Sequence, residues 1–267
     1  MLVRAFTLAL AALALASACR SQHAVRNDVR ALSIREVPTP SLGVPNYQTS
    51  GTYIQVSGDG QRFRAVNAAL RAAVLADQRG YARMARREEA ETGSNAANYP
   101  YPGTYKTAPN RRLVSASSEV VSALIPTLRL YPGGNDGATW IAATIRVPSG
   151  ARVRLGDLFA NPSKGLAALA RSVRSKLVSE NACVRQSIGA EREIGLAYDL
   201  RGFDPKPGHY RYFALTPQGL AIGFPLGQVG APTCNRVETT VPYSVIRPQL
   251  SALGRRLADA VRRPRHF

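Results

Sequence analysis

The stretch from Gly202 to Pro225, GFDPKPGHYRYFALTPQGLAIGFP, constrains the fold more than any other part of the chain. Tyr210–Leu215 and Leu220–Phe224 are dense in aromatic and branched residues, which suit a half-buried pleated surface. Between them, Thr216-Pro217-Gln218-Gly219 puts proline at the second and glycine at the fourth position of a type I turn, so the stretch predicts a β-hairpin. A lone hairpin is marginal in water and must be covered by further strands and helices. The remaining chain offers both. The expected architecture is α+β: a mixed or antiparallel sheet built from hairpins, packed by two to three helices, in a single domain over residues 48–263.

Taken in order, Thr52–Val56 alternates as a strand and Ser57-Gly58-Asp59-Gly60 punctuates it. A helix is predicted over residues 61–87. Its apolar positions Phe63, Val66, Leu70, Val74, Tyr81 and Met84 recur at helical spacing, while Arg62, Arg64, Arg71, Arg79, Arg83 and Arg86 project largely elsewhere. This reads as a core-packing helix with a basic outer face; a membrane-surface helix is the alternative. Alternate prolines in Tyr99-Pro100-Tyr101-Pro102-Gly103 require an extended loop. Strands are expected from Arg112 to Val121 and on toward Leu130, then from Thr139 to Val147 after the turn at residues 131–137. Asn161-Pro162-Ser163 opens a second helix with an apolar stripe of Leu166, Leu169, Val173 and Leu177. Arg236–Val241 reads as a last strand. Pro248 then starts a helix carrying Leu250, Leu253, Leu257 and Val261 on one side and Arg255 and Arg256 on the other.

Met1–Ala18 has the pattern of an export signal: Arg4 is its only charge, and the apolar run from Ala5 to Ala16 is shorter than the roughly 20 residues that span a bilayer. Ala16-Ser17-Ala18 is a small-x-small cleavage site, and Leu15-Ala16-Ser17-Ala18-Cys19 also resembles a lipobox that would make Cys19 the lipidated N-terminus. Residues 19–47, with prolines at 38, 40 and 45, read as a flexible tether. The three cysteines agree with export. In an oxidising compartment Cys183 and Cys234 can pair, which leaves Cys19 for a lipid; two free buried thiols are the alternative. The expected location is periplasmic or on the outer face of the cytoplasmic membrane, as a lipoprotein; a secreted protein is the alternative.

Several short motifs in sequence order resemble one family. Gly202-Phe203-Asp204-Pro205, the Tyr212-Phe213-Ala214-Leu215-Thr216 strand and Gly219-Leu220 with Ile222 and Phe224 stand beside a tyrosine-and-glycine turn at Tyr131. Leu155-Gly156-Asp157-Leu158-Phe159 and Val241-Pro242-Tyr243 complete the set. Together they are similar to the RsiV-type extracytoplasmic domain of the lysozyme-sensing anti-sigma factor, and to the secreted immunogenic antigens of mycobacteria. The resemblance spans residues 51–257 and implies an α+β envelope domain used for binding or sensing. It also carries an enzymatic alternative, since an esterase activity has been ascribed to exported relatives.

A hydrolase of that kind needs a nucleophile, a base and an orienting carboxylate. His209 is the one histidine within the core of the fold and hence the one candidate base. Ser115, Ser117 or Ser118 are candidate nucleophiles, and Asp157, Asp199 or Asp204 candidate partners, with Ser115, His209 and Asp204 the set carried forward. No G-x-S-x-G elbow accompanies them. His23, His209 and His266 lack metal-ligand spacing, and neither metal nor cofactor is expected. The net charge of +18 favours anionic partners. An exported chain with no nucleic-acid motif directs that charge toward an anionic wall polymer, a lipid surface or an envelope protein rather than nucleic acid. The expected contact residues are Arg71, Arg79, Arg83, Arg255 and Arg256, with Tyr99, Tyr101 and Tyr131 adding stacking.

Overall fold

The element order follows the apolar periodicity with a few insertions. Strands β1 (Ser33–Pro38), β2 (Tyr47–Ser50) and β3 (Thr52–Ser57) precede helix α1 (Gly60–Thr92). Strands β4 (Gly103–Thr107), β5 (Leu113–Ala116), β6 (Val120–Leu130) and β7 (Thr139–Arg146) follow, then helices α2 (Pro162–Glu180) and α3 (Ala182–Ile194). Strands β8 (Phe213–Thr216), β9 (Gly219–Phe224) and β10 (Val237–Val241), the single turn α4 (Tyr243–Ile246) and helix α5 (Ala252–Arg262) complete the chain. These positions come from a computed structural model, which describes residues 33–41, 43–44, 47–57, 60–92, 103–107, 113–130, 137–194 and 200–262. The signal segment, Cys19, Tyr99, Tyr101, Tyr131 and Asp199 lie outside the described residues. The described part is one α+β domain of mixed and antiparallel sheets.

Strand β6 organises the larger sheet. It pairs β7 along residues 120–127 on one side, and on the other it pairs β5 at residues 121–124 and β4 at 127–130, all antiparallel. Proline is normally kept out of central strands because it cannot donate to the ladder. Pro126 is tolerated because it falls in the gap where β5 has ended and β4 has not begun. Strand β2 extends this sheet parallel to β4, while β8, β9 and β10 form a separate antiparallel sheet. The outer edge of β7 is closed by its own neighbours: Val153 donates to the Thr144 carbonyl, Leu226 to Ala138, and the Arg152 guanidinium to the Ala142 carbonyl at 2.9 Å. A covered edge cannot template pairing with another chain.

The two sheets meet across a seam of hydroxyls and one indole. The Ser115 hydroxyl donates to the Leu215 carbonyl, and the Leu215 amide donates to Ser122 Oγ at 2.8 Å. Ser122 in turn bonds Thr144 at 2.7 Å. Trp140 of β7 lies on β9, its Nε1 donating to the Phe224 carbonyl at 3.1 Å. Position 223 must be glycine for that approach, since a Cβ there would stand 2.8 Å from the indole ring. Apolar layers cover both faces. Leu166, Leu169, Val173 and Leu177 of α2 share one core with Leu215, Leu220 and Ile222 of the hairpin and with Leu257 and Val261 of α5. Phe63, Val66, Leu70 and Val74 of α1 share another with Ile54, Val121, Ile141 and Ile145.

The local signals explain most boundaries. Asn161 caps α2 by accepting from the Lys164 amide at 3.0 Å, with Pro162 at the first helical position, a pairing worth about 1 kcal/mol. The hairpin forms about Thr216 and Gly219 as expected, but its first strand begins at Phe213; Tyr210 instead closes a 3-10 turn at Pro207–Tyr210 and donates to the Phe203 carbonyl at 2.9 Å. The strand expected from Arg112 to Val121 breaks before its end, because Ser117 Oγ accepts from the amides of Glu119 and Val120 and folds residues 117–119 into a turn; β6 then runs on to Leu130 as expected. Part of the expected tether is likewise structured. Ser33–Pro38 pairs antiparallel with β3, and Ile34 and Val37 pack on the α1 core. Helix α3, which carries Cys183, is not anticipated by the periodicity. Leu250 precedes α5 rather than joining it.

Candidate binding groove

Helix α1 spans 33 residues and has a single acidic residue between Gly60 and Arg87, Asp77. At 100° per residue, Phe63, Val66, Leu70, Val74, Asp77, Tyr81 and Ala85 share the inward face. That places Arg64, Arg71, Leu75, Arg79, Ala82 and Arg86 together on an adjoining arc, with Arg83 at its margin. The inward half of the helix end packs against Val44, Tyr47 and Tyr105. There Asp77 accepts from Tyr105 Oη at 3.0 Å and pairs with Arg129, while Tyr81 donates to the Leu130 carbonyl. Burial pushes the Asp77 carboxyl above its ordinary range, with Arg129 and the Tyr105 hydroxyl pulling it back. Asp77 is therefore turned into the fold and does not neutralise the arginines from Arg64 to Arg86; the other acids of α1, Glu88, Glu89 and Glu91, follow Arg87 at its C-terminal end.

On that arc a groove of about 370 Å³ runs beside the helix. Arg79, Arg83 and Arg86 line one side, and Pro40 and Ser41 form the other. Gln78 fixes the wall: it is buried, and its Nε2 donates to the Pro40 carbonyl. Among the described residues none of these three arginines makes an ion pair or hydrogen bond, and all are exposed. Unpaired guanidiniums converging on a concave surface present planar forks of donors to phosphate or carboxylate. A second hollow of about 460 Å³ lies between α2 and Pro242, bordered by Arg171, Lys176 and Val245. Its Lys176 is already neutralised by Glu180.

The sequence-predicted residues separate into distinct places. Arg79 and Arg83 line the groove, and Arg71 is exposed two turns before them on the same arc. Arg86, left out of the expected contact set, completes the groove at helical spacing from Arg79 and Arg83. Arg255 and Arg256 are elsewhere and engaged: Arg255 donates to the Leu250 carbonyl at 2.6 Å, and Arg256 pairs with Glu119 at 2.9 Å. The groove wall at Pro40 and Ser41 has no signal in the sequence, since it depends on the long-range bond from Gln78.

The hydrolase set is not assembled. Ser115 is buried with its hydroxyl committed to Leu215, Asp204 pairs with Lys206 at 3.2 Å, and no hydrogen bond joins any two of Ser115, His209 and Asp204. Ser117 is spent on its own turn. Asp157 caps the 3-10 turn at Leu155–Leu158 by accepting from the Arg154 amide at 2.8 Å. The described residues contain no cluster of three metal-ligating side chains, and no described helix is long and apolar enough to cross a membrane.

Against solved structures, this arrangement of sheets and helices aligns with a DUF3298 family member from Bacteroides fragilis NCTC 9343. The TM-score is 0.55 at 12% identity, over 88% of this chain and 99% of that one. The fold resembles that of a DUF3298 protein. A DUF3298 family protein from Pseudomonas aeruginosa PAO1 aligns with a TM-score of 0.49 at 9% identity, over 84% of this chain and 96% of that one. No family model matches the sequence, and no curated protein matches it. At these identities the likeness to DUF3298 proteins speaks to fold alone.

Proposed function

We propose that this chain is an exported, lipid-anchored envelope protein of the RsiV-like type that binds an anionic envelope component without catalysis. The observation that carries the reading is the groove on α1, where Arg79, Arg83 and Arg86 converge with no acidic partner among the described residues. The export pattern of residues 1–18 and the lipobox-like stretch ending at Cys19 support the location, and the motifs between residues 51 and 257 support kinship with binding domains of the cell envelope. A hydrolase is disfavoured by Ser115, whose hydroxyl joins two sheets instead of facing a base.

The test is capture of envelope material by the full chain. Exposed charges are screened within about 8 Å at 0.15 M salt. Capture should therefore weaken steeply as salt rises through that range, and reversing the groove with Arg79→Glu/Arg83→Glu/Arg86→Glu should abolish it. Capture indifferent to both salt and charge reversal would contradict the reading. In the producing cell, Cys19→Ala should release the protein from the membrane fraction; unchanged retention would remove the anchor.

A further inference from the structure

The groove is one end of a longer basic track. Arg64 and Arg71 lie on the same arc of α1 as Arg79 and Arg86, are exposed, and make no ion pair or hydrogen bond among the described residues. At about 1.5 Å rise per residue, Arg64 and Arg86 stand about 33 Å apart along the helix axis. Between them the outward residues are small: Ala68, Ala72 and Ala76 are exposed, and Leu75 is half-buried. Charges this far apart exceed the screening length of about 8 Å, so one small anion meets only the two or three arginines nearest it. Only an extended ligand meets all five.

From this track we infer that the ligand is a linear, phosphate-bearing polymer lying along α1, from the groove at Arg79, Arg83 and Arg86 toward Arg71 and Arg64. The inference rests on the groove reading above and adds the form of the ligand to it. Guanidinium forks grip phosphate through paired hydrogen bonds. The alanines between them offer no hydroxyl or amide donors for sugar recognition, so the track reads charge along a backbone. A lipid surface fits less well. A helix that lies on a membrane needs a free apolar face, whereas the apolar face of α1 is already buried in the core. The wall at Pro40 and Ser41 also makes the groove concave, which suits a strand and not a plane.

The experiment compares inorganic phosphate, short polyphosphate and long polyphosphate as probes for the full chain, in phosphate-free buffer at fixed salt. Polygalacturonate and phosphatidylglycerol vesicles serve as contrasts. The expected result is a gain in affinity of about 100-fold or more from short to long polyphosphate, since added contacts on one chain act intramolecularly. Arg64→Gln/Arg71→Gln, at exposed positions away from the groove, should remove most of that gain, so that long chains bind the variant little better than short ones do. Equal affinity for short and long chains would overturn the track while leaving the groove reading in place. Tighter binding of polygalacturonate would overturn the assignment to phosphate, and tighter binding of vesicles the assignment to a polymer. Failure of every anionic probe would remove the groove reading itself.

Discussion

Replacing both bridged cysteines, Cys183→Ala/Cys234→Ala, is expected to lower the stability of the domain by about 4 kcal/mol. The bond joins α3 to the 3-10 turn at Pro232–Cys234 across a separation of 51 residues. That loop contains the whole β8–β9 hairpin, so closing it restricts the unfolded chain strongly. The loss scales with the length of the closed loop, and urea titration of the two proteins measures it. Both cysteines are changed together so that no free thiol is left to pair elsewhere. The joint has a second fastening that survives the change. Ser187 Oγ donates to the Cys183 carbonyl at 2.9 Å and accepts from the Ala231 amide at 2.9 Å. The variant should therefore still fold cooperatively, with a lower midpoint. A loss below about 1 kcal/mol would mean that the loop is already restricted without its bridge.

Arg129→Met should cost about 3 kcal/mol at neutral pH and markedly less in mild acid. Breaking a buried ion pair by removing one partner costs roughly 3–5 kcal/mol, because the other charge is left without compensation. The side chains of Arg129 and Asp77 retain 21% and 15% of their exposure, which places the expected loss at the lower end of that range. The pH dependence follows from Asp77. Its carboxyl is raised by burial, and a raised carboxyl stabilises the fold fully below its unfolded value. That contribution is lost as pH rises through the folded value. Removing the guanidinium raises the group further, so the widest gap between variant and parent lies at neutral pH, where the carboxylate is ionised and unpaired. In mild acid, below its raised folded value, the carboxyl takes up its proton and the gap narrows. Denaturant titrations at the two pH values measure it, and an equal loss at both would mean that lost packing, not charge, sets the cost.

Much of this fold can be read from residue pattern, and the failures have identifiable causes. Helix α2 is legible because Asn161, Pro162 and its four-residue apolar stripe all indicate the same segment. The β8–β9 hairpin is legible because Thr216 and Gly219 fit one turn. Strand β1 is not, since Ile34 and Val37 sit among prolines and gain their meaning only by pairing with β3. The break between β5 and β6 depends on one side chain, Ser117, bonding its own backbone. Helix α3 follows directly on α2, with Asn181 ending one and capping the other by accepting from Val184 at 3.1 Å, so no loop signal separates them.

The site divides in the same way. Helical spacing alone places Arg71, Arg79 and Arg83 outward, and it also places Arg86 there. What makes a groove of them is Pro40 and Ser41, held by Gln78 from 38 positions away. Arg255 and Arg256 look equivalent to these in sequence, but the nearby Leu250 carbonyl engages Arg255, and Glu119, brought near only by folding, engages Arg256. Ser115 looks like a candidate nucleophile until β8 is packed across β5.

Arginine-selective chemical modification of the protein, with and without captured envelope polyanion, shows which guanidiniums the polyanion covers. Peptide mapping then gives the rate at each arginine. The groove account predicts strong protection at Arg79, Arg83 and Arg86, and unchanged rates at Arg255 and Arg256. Protection centred on Arg171, or spread evenly over the surface, would contradict it.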